Sequence, residues 1–241
     1  MQATEHDPAL SPVQQPSARA GQRGEVKLVI GNKNYSSWSM RPWVALTAAG
    51  IAFEEVRIGL DLPDTAARIA HYSAAGRVPV LVDGALTVWD SLAICEYAAE
   101  RLAARPMWPQ DADARAVARS ICAEMHSGFA DLRTHMGMNI RASMPGQGRT
   151  PAVQADIGRI CEIWETCLAD FGHRQFLFGD FTIADAFYAP VVMRFRTYGV
   201  SLAPALQAYA DRVVAHPAVA RWIDGALAEP EVIAKYEPGA L

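Results

Sequence analysis

The stretch from Val78 to Trp89 constrains this chain most. Val78-Pro79-Val80-Leu81-Val82 and Ala85-Leu86-Thr87-Val88-Trp89 are apolar runs separated by Asp83-Gly84, a strong short-range signal for a β-hairpin. Upstream, strand and helix signals alternate. Val26-Lys27-Leu28-Val29-Ile30 is a β-rich run that stops at Gly31-Asn32. A helical stretch follows, with Trp43, Leu46 and Thr47 at compatible spacing and Gly50 as its stop. Val56 and Ile58 alternate with other residues as a second strand would, and Asp64 to His71 predicts a short helix before the Ser73-Ala74-Ala75-Gly76 break. Beyond the hairpin, Asp90-Ser91 offers N-cap chemistry to a helix carrying Leu92, Ile94, Tyr97, Ala98 and Leu102. The order β-α-β-α-β-β-α suits a small sheet with helices on its faces.

After Pro106-Met107-Trp108-Pro109 the pattern becomes wholly helical. Asp111 to Arg141 reads as one long helix, Ser143 to Gly148 breaks it, and Val153 to Phe171 resumes. Further helices are predicted over Ile183 to Thr197, Ala205 to Ala215 and Ala218 to Ala228. The expected organisation is a tail (1–24), an α/β domain (25–105) and an all-helical domain (110–241). The tail carries Pro8, Pro12 and Pro16 and almost no large apolar side chains, so it cannot offset its ordering entropy and is expected to be disordered.

With 26 Asp+Glu against 22 Lys+Arg, the formal charge is −4. That argues against a dedicated nucleic-acid binder, which carries a basic surplus. No apolar run approaches the ~20 residues of a membrane-spanning helix. Cys95, Cys122, Cys161 and Cys167 form no C-x-x-C pair and sit in apolar, helix-like contexts. They read as free buried thiols of a protein in a reducing cytoplasm. The histidines show no H-E-x-x-H or similar spacing, so no metal site is expected.

Three segments have both a structural and a chemical reading. Asn34-Tyr35-Ser36-Ser37-Trp38-Ser39-Met40-Arg41 lies where the first strand hands over to the first helix. It is either a serine-capped polar loop or a set of amides and hydroxyls that favours an anion such as a thiolate. No G-x-S-x-G surrounds these serines, which argues against a serine nucleophile. Pro79 inside a strand-like run marks either an edge strand or a cis bond that frees the Val78 backbone to pair with an extended peptide. Asp90-Ser91 is either a plain helix cap or a site for the carboxylate and amine of an α-amino acid end. Thr182-x-x-Asp185 reads as a structural capping box. Arg41 is open between a helix-surface ion pair and a site contact.

Ser36-Ser37-Trp38-Ser39-Met40-Arg41, Val78-Pro79-Val80-Leu81 with Asp83-Gly84, and Trp89-Asp90-Ser91-Leu92-Ala93-Ile94-Cys95-Glu96-Tyr97 resemble the glutathione S-transferase family. The S-S-x-S start is most similar to its serine-type, zeta-like bacterial members. Glu124 to Phe129, Met138-Asn139-Ile140-Arg141 and Phe178 to Asp185 extend the resemblance into the helical half. It implies a thioredoxin-like N-terminal domain, an α-helical C-terminal domain, a homodimer, and glutathione as co-substrate without a metal. It also implies that Ser36, with Ser37 as runner-up, donates to the glutathione sulfur. Val78, before cis Pro79, would pair with the cysteinyl part, and Asp90 and Ser91 would hold the γ-glutamyl end. Family members often carry Glu or Gln where Asp90 stands, so a shorter carboxylate must reach the same amine. Tyr35, Trp43 and Met138 are candidates for the pocket of a small hydrophobic electrophile. The implied activities are thiol conjugation or a zeta-like cis–trans isomerisation, with a non-catalytic binding module of the same fold as the contrasting class.

Overall fold

Alternation along the first strand decides how the α/β half is layered. A computed structural model describes residues 25–172 and 175–237; the expected tail (1–24) lies outside them. β1 (Lys27–Ile30) pairs in parallel with β2 (Glu54–Arg57) and antiparallel with β3 (Val80–Asp83), which pairs antiparallel with β4 (Leu86–Trp89). The sheet order is therefore β2-β1-β3-β4. Successive strand side chains point to opposite faces. Leu28, Ile30 and Leu81 pack with Met40, Val44, Ile94 and Cys95 of α1 (Ser37–Ala48) and α3 (Ser91–Tyr97), while Val29 and Val80 pack with Ile58 and with Ile69 of α2 (Thr65–Ala70). This is the expected thioredoxin-like βαβαββα order. The hairpin turn is shifted one residue from the Asp83-Gly84 position: Asp83 pairs with Leu86, so the turn residues are Gly84 and Ala85, with Gly84 at φ 59°.

A π-helical turn, Ala98–Leu102, continues α3 and leads to the helical half. That half comprises α4 (Ala112–Ser127), α5 (Ala130–His135), α6 (Pro151–Asp170), α7 (Ile183–Tyr198), α8 (Pro204–Ala215) and α9 (Pro217–Ala228). The single long helix expected over Asp111 to Arg141 is corrected to two. Gly128 leaves the helix at φ −99°, ψ −167°, where a Cβ would lie 2.8 Å from the Glu124 carbonyl oxygen, and Phe129 then takes φ 57°. Met138 consequently stands in the loop after α5, not on a helix.

The buried helix α7 ties the halves together. All its residues except Arg196 are buried, and it packs on both α1 and α4. Its start is fixed by the expected capping box: Thr182 Oγ1 accepts from Ala184 N, and Asp185 Oδ2 accepts from Thr182 N at 2.8 Å. Asp185 also accepts from Leu177 N and the Tyr209 hydroxyl, so the carboxylate joins three segments. A second tie is polar. Asn34 Nδ2 donates to Asn139 Oδ1 at 2.8 Å, Arg141 N donates to Asn34 Oδ1, and Asn139 Nδ2 reaches back to the Tyr236 carbonyl. The segment at Tyr236 thus lies over the start of α1. Among the described residues no helix is long and apolar enough to cross a membrane. The four cysteines are unpaired; Cys161 is only half-buried and the other three are buried.

Candidate active site between the two halves

The turn after β1 aims the start of α1 at the helical half. Ser36 caps α1: its Oγ accepts from Ser39 N at 3.3 Å, and its hydroxyl donates to Ser39 Oγ at 2.8 Å. Ser39 Oγ in turn accepts from Gly31 N, which fixes the end of β1 against the first turn of α1. Ser37 Oγ accepts instead from Arg194 Nη2 of α7 at 3.1 Å. Both serines border a cavity of about 480 Å³ shared with Tyr35, Arg133, Met138, Arg194 and Tyr236.

A second cavity, of about 530 Å³, adjoins the first across a wall of Trp38, Arg77 and Val78, and it contains Pro79, Asp90, Ser91 and His126. The Val78–Pro79 peptide is cis, and Pro79 immediately precedes β3, a central strand. The edge-strand reading of this proline therefore gives way to the cis one. Asp90 caps α3, its Oδ1 accepting from Leu92 N at 2.8 Å and Ala93 N at 3.3 Å. Its backbone stands at φ 78°, ψ 134°, a conformation that costs a non-glycine residue about 1–3 kcal/mol and clusters at ligand sites. Asp90 Oδ2 lies 3.1 Å from His126 Nε2, contributed by α4. Burial, then Arg41 and Arg133 against an opposing pull from Asp90, hold the His126 imidazole below its usual range.

The three motifs, Ser36-Ser37, Val78-Pro79 and Asp90-Ser91, are thus brought together along one cleft. Tyr35 and Met138 join them. Trp43 does not, and its place in the second-substrate pocket is corrected. It lies seven residues after Ser36, two turns or about 10 Å further along α1, where it packs on Trp222 and Phe53 and donates to Glu55. A larger cavity, about 720 Å³, opens beside the linker and the 178–183 segment, but it borders neither the serines nor Pro79.

Sequence reasoning left Arg41 open and missed Arg133 and Arg194. Arg41 is 1% exposed and stacks over Trp38 at 4.2 Å and Phe187 at 5.0 Å, with Nη1 3.5 Å from Ser91 Oγ and its Nε without a partner. It makes no surface ion pair. Arg133 lies over Trp38 at 4.7 Å, and Arg194 is buried, donating to the Met136 carbonyl as well as to Ser37. Burial foremost, then mutual repulsion with Arg133 and Arg194, brings Arg41 down to about 9; burial and Arg133 bring Arg194 to about 10. All three are guanidinium groups, which keep their charge in proteins, and among the described residues no carboxylate borders the serine-lined cavity. One signal was available: Arg194 follows Phe187 and Val191 at i+7 and i+3, so it falls on an apolar helix stripe. Among the described residues no cluster of His, Cys, Asp and Glu could hold a metal ion.

Two family models match the chain. The N-terminal domain of glutathione S-transferase covers residues 35–101 and the C-terminal domain covers 147–225, more than half of the chain together. The chain belongs to the glutathione S-transferase family. A rat maleylacetoacetate isomerase is 26% identical over 187 residues, 76% of this chain and 84% of that protein. A glutathione transferase homolog from Burkholderia, solved with bound glutathione, is 25% identical with a TM-score of 0.65, covering 85% of this chain and 99% of that one. A maleylacetoacetate isomerase from Methylobacterium extorquens, solved with malonate and glutathione, is 25% identical with a TM-score of 0.60, covering 89% and 99%.

Proposed function

We propose that this protein binds glutathione along the cleft and uses its thiolate as a nucleophile. The serine pair 36–37 would face the sulfur, the Val78 backbone the cysteinyl part, and Asp90 with Ser91 the γ-glutamyl end. The observation that carries this reading is that three segments far apart in sequence border one continuous cleft. A free thiol of pKa about 8.5 is only about 3% ionised at pH 7; lowering it by about two units makes about three quarters thiolate. That shift needs about 2.7 kcal/mol of selective stabilisation. A charge-assisted hydrogen bond of about 1.5–3 kcal/mol, with the start of α1 and nearby guanidinium groups, supplies it without a metal.

The second substrate in this reading is a small electrophile with an apolar or conjugated body and an acid group. Tyr35, Met138 and Tyr236 suit the body, and Arg133 and Arg194 favour negative charge. The same lining favours an isomerase reading equally. There the thiolate adds to a conjugated cis double bond, the resulting single bond rotates, and the thiolate leaves, so glutathione is regenerated. Kinship with maleylacetoacetate isomerases and the dicarboxylate held by the Methylobacterium protein support that variant. The test is a pair of electrophiles that differ only in a carboxylate, together with a cis-dienoic acid. The acid should show the higher kcat/KM, and turnover of the cis acid without loss of glutathione selects the isomerase. Preference for the neutral member would remove the acid group from the proposal.

We further propose that the chain works as a cytoplasmic homodimer. Leu86 and Trp89 on the edge strand β4 are exposed at 46% and 56%, which favours a covering partner. Light scattering at the mass of a single 26.2 kDa chain would contradict this.

A further inference from the structure

The two adjacent serines differ in what remains for them to donate. Ser36 is committed within its own turn: it accepts from Ser39 N and donates its proton to Ser39 Oγ. The only hydrogen bond of the Ser37 side chain among the described residues comes from Arg194, so its oxygen is an acceptor there and its proton is free. Ser37 is also the first residue of α1, at the positive end of the helix dipole. Arg194 is not free to turn away, being buried and anchored on the Met136 carbonyl by its other terminal nitrogen. A hydroxyl that accepts from a guanidinium is a stronger donor through its own proton, because the two bonds polarise each other.

We infer that Ser37, presented and polarised by Arg194 of the helical domain, is the hydrogen-bond donor to the glutathione sulfur, and that Ser36 serves to cap the helix. The inference rests on glutathione occupying the cleft. Ser37 keeps its proton; the thiol proton goes to solvent, and no covalent bond to the protein forms. Arg194 acts through Ser37 and is a positioning residue. Among the described residues, the other charged and titratable groups at this end of the cleft are Arg77 before β3, Arg133 of α5, Tyr35 and Tyr236, with Glu237 accepting from the Tyr35 hydroxyl, Arg41 stacked on Trp38, and the Asp90–His126 pair one cavity further on. The three arginines add positive potential, the Asp90 carboxylate is held by His126 and the α3 amides, and the Glu237 carboxylate by Tyr35 and Asn139. The fold therefore brings a residue of each half to the sulfur position, which couples thiol activation to the docking of α7 on α1.

The experiment is an ultraviolet titration of the thiolate in the glutathione complex of the full chain, with calorimetry reporting glutathione affinity in parallel. Ser37→Ala should raise the bound-thiol pKa by about one to two pH units and Arg194→Met by about one. Arg194→Lys keeps the charge but loses the rigid fork of two nitrogens that serves Met136 and Ser37, and should fall between Arg194→Met and the parent. Ser36→Ala should lower the melting temperature yet leave the thiol pKa within about half a unit. A raised pKa in Ser36→Ala with none in Ser37→Ala overturns the assignment. An unchanged pKa in Arg194→Lys, or in Arg194→Met if that variant folds, overturns the part given to Arg194. Absence of glutathione binding by the parent protein is a different result, and it refutes the functional reading itself.

Discussion

Replacing Asp90 by glycine and by alanine separates what this residue does for folding from what it does for a ligand. Asp90 stands at φ 78°, ψ 134° and caps α3 through two backbone amides. Alanine keeps the unfavourable backbone and loses the cap, for a cost of about 1 kcal/mol. Glycine loses only a few tenths as a cap and about 0.5–1 kcal/mol in chain entropy, while relieving about 1–3 kcal/mol of backbone strain. The half-exposed contact with a neutral His126 adds no more than about 1 kcal/mol to either loss. Asp90→Gly should therefore exceed Asp90→Ala in stability by about 1–3 kcal/mol in urea unfolding. Both variants remove the carboxylate proposed to meet the γ-glutamyl amine, and glutathione affinity should drop about tenfold in each, read by calorimetry. Equal stability of the two variants would show that the backbone conformation carries no strain. Unchanged affinity in both would remove Asp90 from the ligand site.

Other perturbations test the frame round the cleft. Asp185→Ala should cost more than about 3 kcal/mol in urea unfolding, because it leaves the amides of Leu177 and Thr182 and the Tyr209 hydroxyl without their buried acceptor; a loss under about 1 kcal/mol would contradict its role as a junction. Asn139→Ala should loosen the 233–237 segment, with faster amide exchange at Ile233 and Tyr236, since Asn139 holds the Tyr236 carbonyl. The His126 imidazole is held below its usual range, so on acidification the unfolded chain takes up this proton first. The stability it contributes is present above about pH 6.5 and is lost as the pH falls through its folded value. Between pH 7 and 5 the parent should therefore lose stability more steeply than His126→Gln, and parallel slopes would refute the assignment.

Much of the architecture was legible because local chemistry and tertiary packing agree. Asp83-Gly84 lies at a real hairpin, Gly50 closes α1, and Thr182 with Asp185 caps α7, each through a mechanism contained in a few neighbouring residues. The break between α4 and α5 was not legible. One glycine inside an apolar helical pattern reads as tolerated, and only the packing shows that Gly128 is needed and that Phe129 turns left-handed. Trp43 was misplaced for a similar reason: spacing from Ser36 gives the face of α1 but not the two turns of rise that carry it to Trp222. Arg194 escaped and Arg41 stayed open because a buried guanidinium is satisfied by carbonyls and aromatic faces distant in sequence. Arg194 finds Met136 and Ser37, and Arg41 finds Trp38 and Phe187. The sequence pattern therefore suggested apolar walls and gave no sign of the Arg133 and Arg194 guanidinium groups among them.

Proton release on binding tests glutathione capture and thiol activation together. Glutathione is titrated calorimetrically into the full chain at pH 7 in buffers of different ionisation enthalpy, with S-methylglutathione as the control. The expected result is one site per chain and release of about 0.7 proton per glutathione, the difference between about 3% thiolate free and about three quarters bound. S-methylglutathione should bind the same site without that release. Saturable binding with no proton released, or no saturable binding at all, would contradict a cleft built to hold a thiolate.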